Sequence, residues 1–145
     1  MPANLSAKTT GALSIAVVAI CLVMPSSVPS LASDRMFTKR PAFSEADQPV
    51  RMAAECREVR PMSDGIPDLD YRIDLSVAGS LTAVKTDGVL WYLVLCSPPD
   101  VRIMCVTYQS NGMETGDRII VRGGYRRRDA DHILLDPCLA TRPEP

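Results

Sequence analysis

A long alternating stretch constrains the fold of this chain more than any other feature of its sequence. Between residues 71 and 83, an apolar residue occupies nearly every second position, with mostly polar or small residues between. Because successive side chains of a β-strand point to opposite faces, this spacing predicts a long strand with one buried face. Gly79, in its middle, marks an expected bend or bulge. The residues expected to face the core are Tyr71, Ile73, Leu75, Val77, Leu81 and Ala83.

Four further strand patterns follow, each separated from the last by turn-forming or polar residues. The predicted strands are Val89–Cys96, Val101–Tyr108, Arg118–Arg126 and His132–Leu135. The connections are Thr86–Gly88, Ser97–Asp100, Gln109–Asp117 and Arg127–Asp131, and Asp136–Cys138 closes the last strand. Five consecutive strands favour a small all-β barrel or sandwich, because closure removes exposed strand edges.

The segment 33–67 has a different character, with four prolines, mixed charges and few β-branched residues. Asp47 and Pro49 suit the N-cap and first turn of a helix, so we predict a short helix over Val50–Val59. Ser63–Pro67 is then a turn or linker. The predicted organisation is an N-terminal extension over residues 33–67, a β-barrel over 68–140 and a tail over 141–145.

Three stretches of the chain resemble the OB-fold, a five-stranded Greek-key barrel. They are residues 71–88, the sequence GDRIIVRG at residues 116–123, and residues 133–138. The second is similar to the strand-four signature of OB-fold domains of the anticodon-binding and bacterial periplasmic types. The resemblance implies an all-β, five-stranded OB-like Greek-key barrel preceded by a short helical or irregular segment. The cysteines and the N-terminal segment depart from the cytosolic OB-fold pattern and disfavour a nucleic-acid role.

The resemblance also implies where a ligand binds. OB-folds bind ligands on the face of strands 2 and 3, between the loops joining strands 1–2 and 4–5. Three consecutive arginines, residues 126–128, lie at the turn between strands 4 and 5. The alternative is that they form a solvated turn whose charge is balanced by Asp129 and Asp131. The candidate ligand-binding residues are Lys85, Tyr92, Arg102, Tyr108, Arg126, Arg127 and Arg128.

The first 32 residues have the three parts of a secretory signal peptide. Lys8 is the only charged residue in them, Gly11–Met24 is apolar, and small residues at Ser30 and Ala32 suit a cut after Ala32. The apolar run is shorter than the about 20 residues that span a bilayer. The alternative is an uncleaved anchor. We expect an exported, periplasmic or extracellular protein.

Four cysteines remain after the predicted cut: Cys56, Cys96, Cys105 and Cys138. An even number in a small exported chain predicts disulfide bonds. A four-thiolate metal site is the competing interpretation, but it needs closely spaced cysteine pairs, and eight residues separate the nearest two. Of three possible pairings we favour Cys56–Cys138 with Cys96–Cys105.

Charge and motif content limit the function classes. The chain has 16 basic and 17 acidic residues, and loss of Lys8 leaves 15 and 17, unlike the strongly basic balance of a general nucleic-acid binder. His132 has no nucleophile tied to it by a motif, and the spacing of Asp64, Asp68, Asp70 and Asp74 does not match a calcium loop. We expect no metal and no cofactor.

These observations predict an exported, non-enzymatic binding module. Its ligand would be an anionic or sugar-containing molecule or a protein surface. The alternative is a structural or inhibitory protein of the cell envelope that docks through its N-terminal segment and has no small-ligand site.

Overall fold

A computed structural model describes residues 40–45, 52–67 and 69–144 of the chain. It contains seven strands and one short helix in these ranges. In chain order the elements are β1 (Phe43–Glu45), β2 (Ala54–Glu55), α1 (Cys56–Ser63), β3 (Ile73–Thr86), β4 (Trp91–Leu95), β5 (Arg102–Thr107), β6 (Arg118–Arg127) and β7 (His132–Thr141).

Five of the strands close into an OB-like barrel. Their order around the barrel is β3-β4-β5-β7-β6, and β6 pairs with the first half of β3 to complete the circle. All neighbours are antiparallel except β5 and β7, which are parallel. This closed five-stranded arrangement confirms the predicted fold class. It also places β4 and β5 as barrel strands 2 and 3.

The long strand β3 confirms most of the predicted buried face. Ile73, Leu75, Val77 and Leu81 are each at most 4% exposed. Tyr71 was expected in the core but precedes the strand and is exposed, and Ala83 is only half-buried. The change of register expected at Gly79 instead lies between Leu81 and Ala83, where β3 exchanges β6 for β4 as its partner.

The opposite face of β3 was expected to face solvent, but its first half is buried. Asp74 and Ser76 are 6% and 4% exposed. Strand β1 pairs with β3 alongside them, and Asp74 forms ion pairs with Arg72 at 2.7 Å and with Arg122 at 3.6 Å. Strands β1 and β2 have three and two residues, too few to give a periodic signal in the sequence.

The helix begins six residues later than predicted. Ala54 and Glu55 form the extended strand β2, Glu55 is the N-cap, and the Glu55 backbone N–H donates to the Glu58 carboxylate at 2.9 Å. This reciprocal capping fixes the start of α1 at Cys56. The N-cap predicted at Asp47 lies outside the described residues.

Strand β7 continues past the proline that was expected to end it. The register with β6 shifts between Gly123 and Tyr125, and Pro137 lies in this irregular stretch, outside the paired positions. A proline is tolerated at such a bulge because no ladder hydrogen bond needs its missing N–H. The strand therefore extends to Thr141.

The four cysteines form two disulfide bonds, which confirms the disulfide prediction. The favoured pairing was wrong: Cys56 bonds Cys96, and Cys105 bonds Cys138. The register of β4 and β5 explains the error, because Cys105 lies opposite Leu93 while Cys96 follows the end of β4. The first bond joins α1 to the barrel, and the second joins β5 to β7.

No helix within residues 40–45, 52–67 and 69–144 is long and apolar enough to cross a membrane. The predicted signal peptide and its cut after Ala32 lie outside the described residues and stay predictions.

Candidate functional site

A row of aliphatic side chains crosses the outer surface of the barrel. The β-sheet register places Ala83 beside Val94, Val94 beside Met104, and Met104 beside Leu134. These positions alternate with core residues, so their side chains point away from the barrel interior. Ala83, Val94 and Leu134 are half-buried, and Met104 is 36% exposed. The result is an aliphatic floor on the face that binds ligands in OB-folds.

A groove of about 490 Å³ lies over this floor. Small-molecule sites commonly have volumes of about 300–1,000 Å³ and combine an apolar lining with a few polar groups. The residues that line the groove are Thr82, Ala83, Val94, Ser97, Arg102, Met104, Arg128, His132, Ile133 and Leu134.

Cationic side chains border the groove on one side. Arg102 lies beside His132 in the register of β5 and β7, and the Arg128 backbone N–H donates to the His132 carbonyl at 3.0 Å. Arg126 lies opposite Leu134, at the end of the aliphatic row. Within residues 40–45, 52–67 and 69–144, the guanidinium groups of these three arginines form no ion pair.

Most other arginines of the barrel and helix are committed to internal contacts. Ion pairs join Arg60 to Asp131, Arg118 to Glu55 and Arg142 to Asp117. Arg57 on α1 resembles the groove arginines in having no ion-pair partner among the described residues. Arg102 and Arg128 are thus two cations beside the groove that no ion pair within the described residues engages.

The side chain of Arg127 points to the end of α1, unlike those of its neighbours Arg126 and Arg128. Its guanidinium donates to Ser63 Oγ at 2.6 Å and to the Ala130 carbonyl at 3.0 Å, and it forms an ion pair with Asp64 at 3.2 Å. It joins the end of α1 to the β6–β7 turn. Its predicted part in ligand binding stays a prediction.

The side chain of Arg60 connects the two loops at the same end of the groove. It donates to the Pro99 carbonyl at 2.9 Å, the Ala130 carbonyl at 3.1 Å and Asp131 Oδ1 at 2.8 Å. Pro99 belongs to the β4–β5 loop, and Ala130 and Asp131 belong to the β6–β7 turn. These contacts hold the loop that carries Arg128 and His132 against the helix.

The imidazole of His132 is paired on the same turn. Its Nδ1 lies 2.8 Å from Asp129 Oδ1. The Asp131 backbone N–H donates to this carboxylate and, together with the His132 contact, lowers the pKa of Asp129 below its usual value. Asp129 therefore stays ionised and holds the His132 ring at the groove edge.

Lys85 and Tyr92 lie at the opposite end of the barrel face, beside the β3–β4 turn. They are direct cross-strand neighbours. The Tyr92 hydroxyl donates to Asp87 Oδ2 at 2.6 Å, which raises the pKa of Tyr92. Asp87 also accepts from the Leu90 and Val89 backbone N–H groups, and these bonds lower its pKa to about 2. Tyr92 thus closes a turn, and neither it nor Lys85 lines the groove.

The remaining predicted residues divide between two places. Tyr108 follows β5, is 75% exposed and does not line the groove. Arg126 and Arg127 line a second cavity of about 520 Å³, together with Arg128, Tyr71 and Tyr125. Burial raises the pKa of Tyr125, whose ring packs edge-on against Phe43 with the centroids 5.2 Å apart.

Val94, Met104 and Leu134 were missed by sequence reasoning. The sequence around Val94 is apolar on both faces, so period-two parity could not separate core from surface positions there. Met104 and Leu134 also lie in continuous apolar runs, residues 103–106 and 133–135, so alternation did not mark them as surface positions either. Within the described ranges, no three His, Cys, Asp or Glu residues are grouped to hold a metal ion.

No protein-family model matches the chain, and no curated protein matches it either. Among solved structures, a chain of the Stn1–Ten1 complex from S. pombe is similar with 16% identity and a TM-score of 0.35. The similarity covers 55% of this chain and 62% of that one. The OB-like assignment rests on the strand order and register of the barrel itself.

Proposed function

We propose that this chain is an exported, non-enzymatic OB-like binding module, and that its groove on β4, β5 and β7 binds an anionic ligand. The observation that carries the proposal is that Arg102 and Arg128 both line the groove beside the aliphatic floor, and that neither has an ion-pair partner among the described residues. Guanidinium groups bind carboxylates and phosphates through paired, charge-assisted hydrogen bonds. An unpaired guanidinium beside an apolar groove is therefore suited to an anionic ligand.

The contacts of Arg60 and Arg127 support the proposal by making the site rigid. Both side chains bond carbonyl groups of the β6–β7 turn, and they anchor it to α1. A turn that is already ordered loses less conformational freedom when a ligand binds. Arg128 and His132 are consequently presented on a fixed edge of the groove.

Export is supported by the two disulfide bonds and by the signal-peptide pattern of the first 32 residues. Disulfides persist mainly in oxidising compartments. The partner we expect is therefore a molecule of the periplasm, envelope or extracellular space.

A binding panel with a matched control tests the proposal. The disulfide-bonded protein is titrated calorimetrically with inorganic phosphate, hexanoate, decanoate and a heparin-derived tetrasaccharide, at low and high salt. The doubly substituted variant Arg102→Gln/Arg128→Gln should bind the anions of the panel about tenfold or more weakly, because each charge-assisted hydrogen bond contributes about 1.5–3 kcal/mol. Its melting temperature should not change.

Arg57→Gln is the matched control, because Arg57 is an exposed arginine of α1 that has no ion-pair partner among the described residues and does not line the groove. It should leave affinity unchanged. If no anion of the panel binds, or if the double variant binds as tightly as the unsubstituted protein, the groove is not an anion site. The alternative of a docking protein without a small-ligand site would then be favoured.

A further inference from the structure

The lining of the groove also indicates what the uncharged part of the ligand is. Resting on the proposed function above, we propose that the ligand is a single-chain aliphatic acid, with its chain on the floor formed by Val94, Met104 and Leu134 and its anionic head beside Arg102 and Arg128. The floor, the dimensions of the groove and the position of the charges each support this class.

The floor has no surface on which a flat ring can stack. The groove is lined by no Phe, Tyr or Trp residue of the described chain. Of the two tyrosines among the predicted ligand-binding residues, Tyr92 donates its hydroxyl to Asp87 at the far turn, and Tyr108 lies beyond the end of β5 and is 75% exposed. Stacking on aromatic rings is the main way in which OB-folds bind single-stranded nucleic acid. Aliphatic side chains instead suit a flexible hydrocarbon.

The floor is long enough to hold a hydrocarbon chain. Ala83, Val94, Met104 and Leu134 lie side by side on four neighbouring strands. Strands are about 4.8 Å apart, so the row extends about 14 Å across the sheet. Met104, an unbranched side chain at the centre of the row, can adjust to a chain of variable conformation.

The volume of the groove favours a small ligand over a protein. At about 490 Å³ the groove falls in the range of small-molecule sites. Stable protein interfaces bury about 800 Å² on each partner and depend on aromatic anchors. The groove offers no such aromatic anchor among its described lining residues.

The charges lie to one side of the floor and leave the rest of it apolar. Arg102 and His132 are neighbours two residues along their strands from Met104 and Leu134, and Arg128 adjoins them. Across the floor, the β3 side of the groove presents Thr82 and Ala83. A molecule with one acidic head and one hydrocarbon chain can place its head beside the arginines and its chain on the aliphatic floor.

A chain-length series tests the inference. Hexanoate, octanoate and decanoate are titrated into the disulfide-bonded protein below their aggregation concentrations. Each two added methylenes should lower Kd about fourfold to fifteenfold, the range expected for partial to full burial of CH₂ groups. Decyltrimethylammonium, which has the same chain and a cationic head, should not bind.

Two pairs of variants separate the chain from the head. Met104→Glu should abolish the chain-length dependence by placing a carboxylate in the floor, whereas Leu139→Glu should not affect it, because Leu139 is 73% exposed on β7 and outside the groove. Arg102→Gln/Arg128→Gln should weaken all three acids by a similar factor and leave the dependence on chain length intact, while Arg57→Gln should change neither.

A Kd that does not vary with chain length, or an unchanged dependence in Met104→Glu, would overturn the inference. If phosphate or the tetrasaccharide then still binds in an arginine-dependent way, the proposed anion site survives and only the aliphatic ligand is wrong. If no anion binds, both proposals fail.

Discussion

At the scale of single residues, Gly79 shows how a position can be determined by a contact rather than by backbone conformation. It lies within the regular ladder opposite Ile119. A Cβ added to it would lie 2.7 Å from the Sγ of Cys56, closer than real Cβ atoms approach a neighbour. The glycine thus makes room for the Cys56–Cys96 bond to pack against the barrel wall.

Gly79→Ala should lower the free energy of unfolding by about 1–3 kcal/mol, the usual cost of overpacking a core. The measurement is urea unfolding of the oxidised protein. The cost should shrink in a Cys56→Ala/Cys96→Ala background, where the obstructing sulfur is gone, and Ser80→Ala should serve as a neutral neighbour. An equal cost in both backgrounds would show that the disulfide is not the reason for the glycine.

Asp87 gives a residue-scale prediction for pH. Its pKa is lowered from 3.8 to about 2 by the hydrogen bonds it accepts in the β3–β4 turn. A carboxyl group whose pKa is lower in the folded state stabilises the fold above its unfolded pKa, and this contribution disappears as pH falls through the folded value. Stability should therefore decline between about pH 4 and pH 2 in part through Asp87.

The measurement compares the pH dependence of unfolding for the unsubstituted protein and Asp87→Asn. The difference between them should be largest near pH 5 and should narrow towards pH 2. Asp100→Asn, at another turn, is the control, since the carboxylate of Asp100 accepts no hydrogen bond from described residues. A difference that stays constant down to pH 2 would mean that the Asp87 charge does not stabilise the turn.

At the scale of elements, one disulfide ties α1 to the segment after β4, and the other reinforces the hydrogen-bonded pair of strands β5 and β7. Cys56–Cys96 spans 40 residues and Cys105–Cys138 spans 33. Removing a native disulfide from a small exported domain typically costs about 2–5 kcal/mol. Cys105→Ala/Cys138→Ala should therefore lower the free energy of unfolding by about this amount.

Peptide mapping of the unreduced protein checks the pairing on which that prediction depends. It should recover Cys56 linked to Cys96 and Cys105 linked to Cys138, with essentially no free thiol at these four positions. Peptides joining Cys96 to Cys105 would contradict the register of β4 and β5.

The elements also show which parts of the structure a sequence can predict. The buried face of β3 was predictable because Ile73, Leu75 and Val77 repeat with period two over a long strand. The disulfide pairing was not, because it depends on the register between β4 and β5, which both have apolar residues on either face. The buried position of Asp74 depends on β1 and on Arg122, which is 48 residues away in sequence.

Only part of the candidate site could be predicted from the sequence. Arg102 and Arg128 could be expected near the ligand face because the OB-like strand order places barrel strand 3 and the last turn there. The structural position of Arg127 depends on Ser63 and Asp64, distant partners that no local pattern gives. The aliphatic floor exists only once β4, β5 and β7 are brought side by side.

At the scale of the whole molecule, the first 32 residues bear on the compartment in which the barrel works. The signal-peptide pattern predicts that the exported protein begins near Ser33, because small residues at Ser30 and Ala32 suit signal peptidase. Mass spectrometry of the protein recovered from its native compartment should find that N-terminus. A chain that starts at Met1 in its native compartment would contradict export by a cleaved signal.

The barrel itself accounts for the position of the groove. Closure by β3 and β6 leaves β4, β5 and β7 with an outer face that no described element covers, and Arg60 and Arg127 fix the loops at one end of it. Among the described residues, ion pairs engage Arg60, Arg118 and Arg142 elsewhere, whereas Arg102 and Arg128 at this face have none. The central claim is that this face binds an anion.

The most direct test is backbone amide chemical-shift mapping of the oxidised protein, titrated separately with octanoate and with a heparin-derived tetrasaccharide. The account predicts that at least one of these anions shifts a contiguous set of resonances that includes Val94, Arg102, Met104, Arg128 and Leu134, and that the set is lost in Arg102→Gln/Arg128→Gln. Shifts confined to residues around Tyr108 and Leu139, or no shifts with either anion, would contradict it.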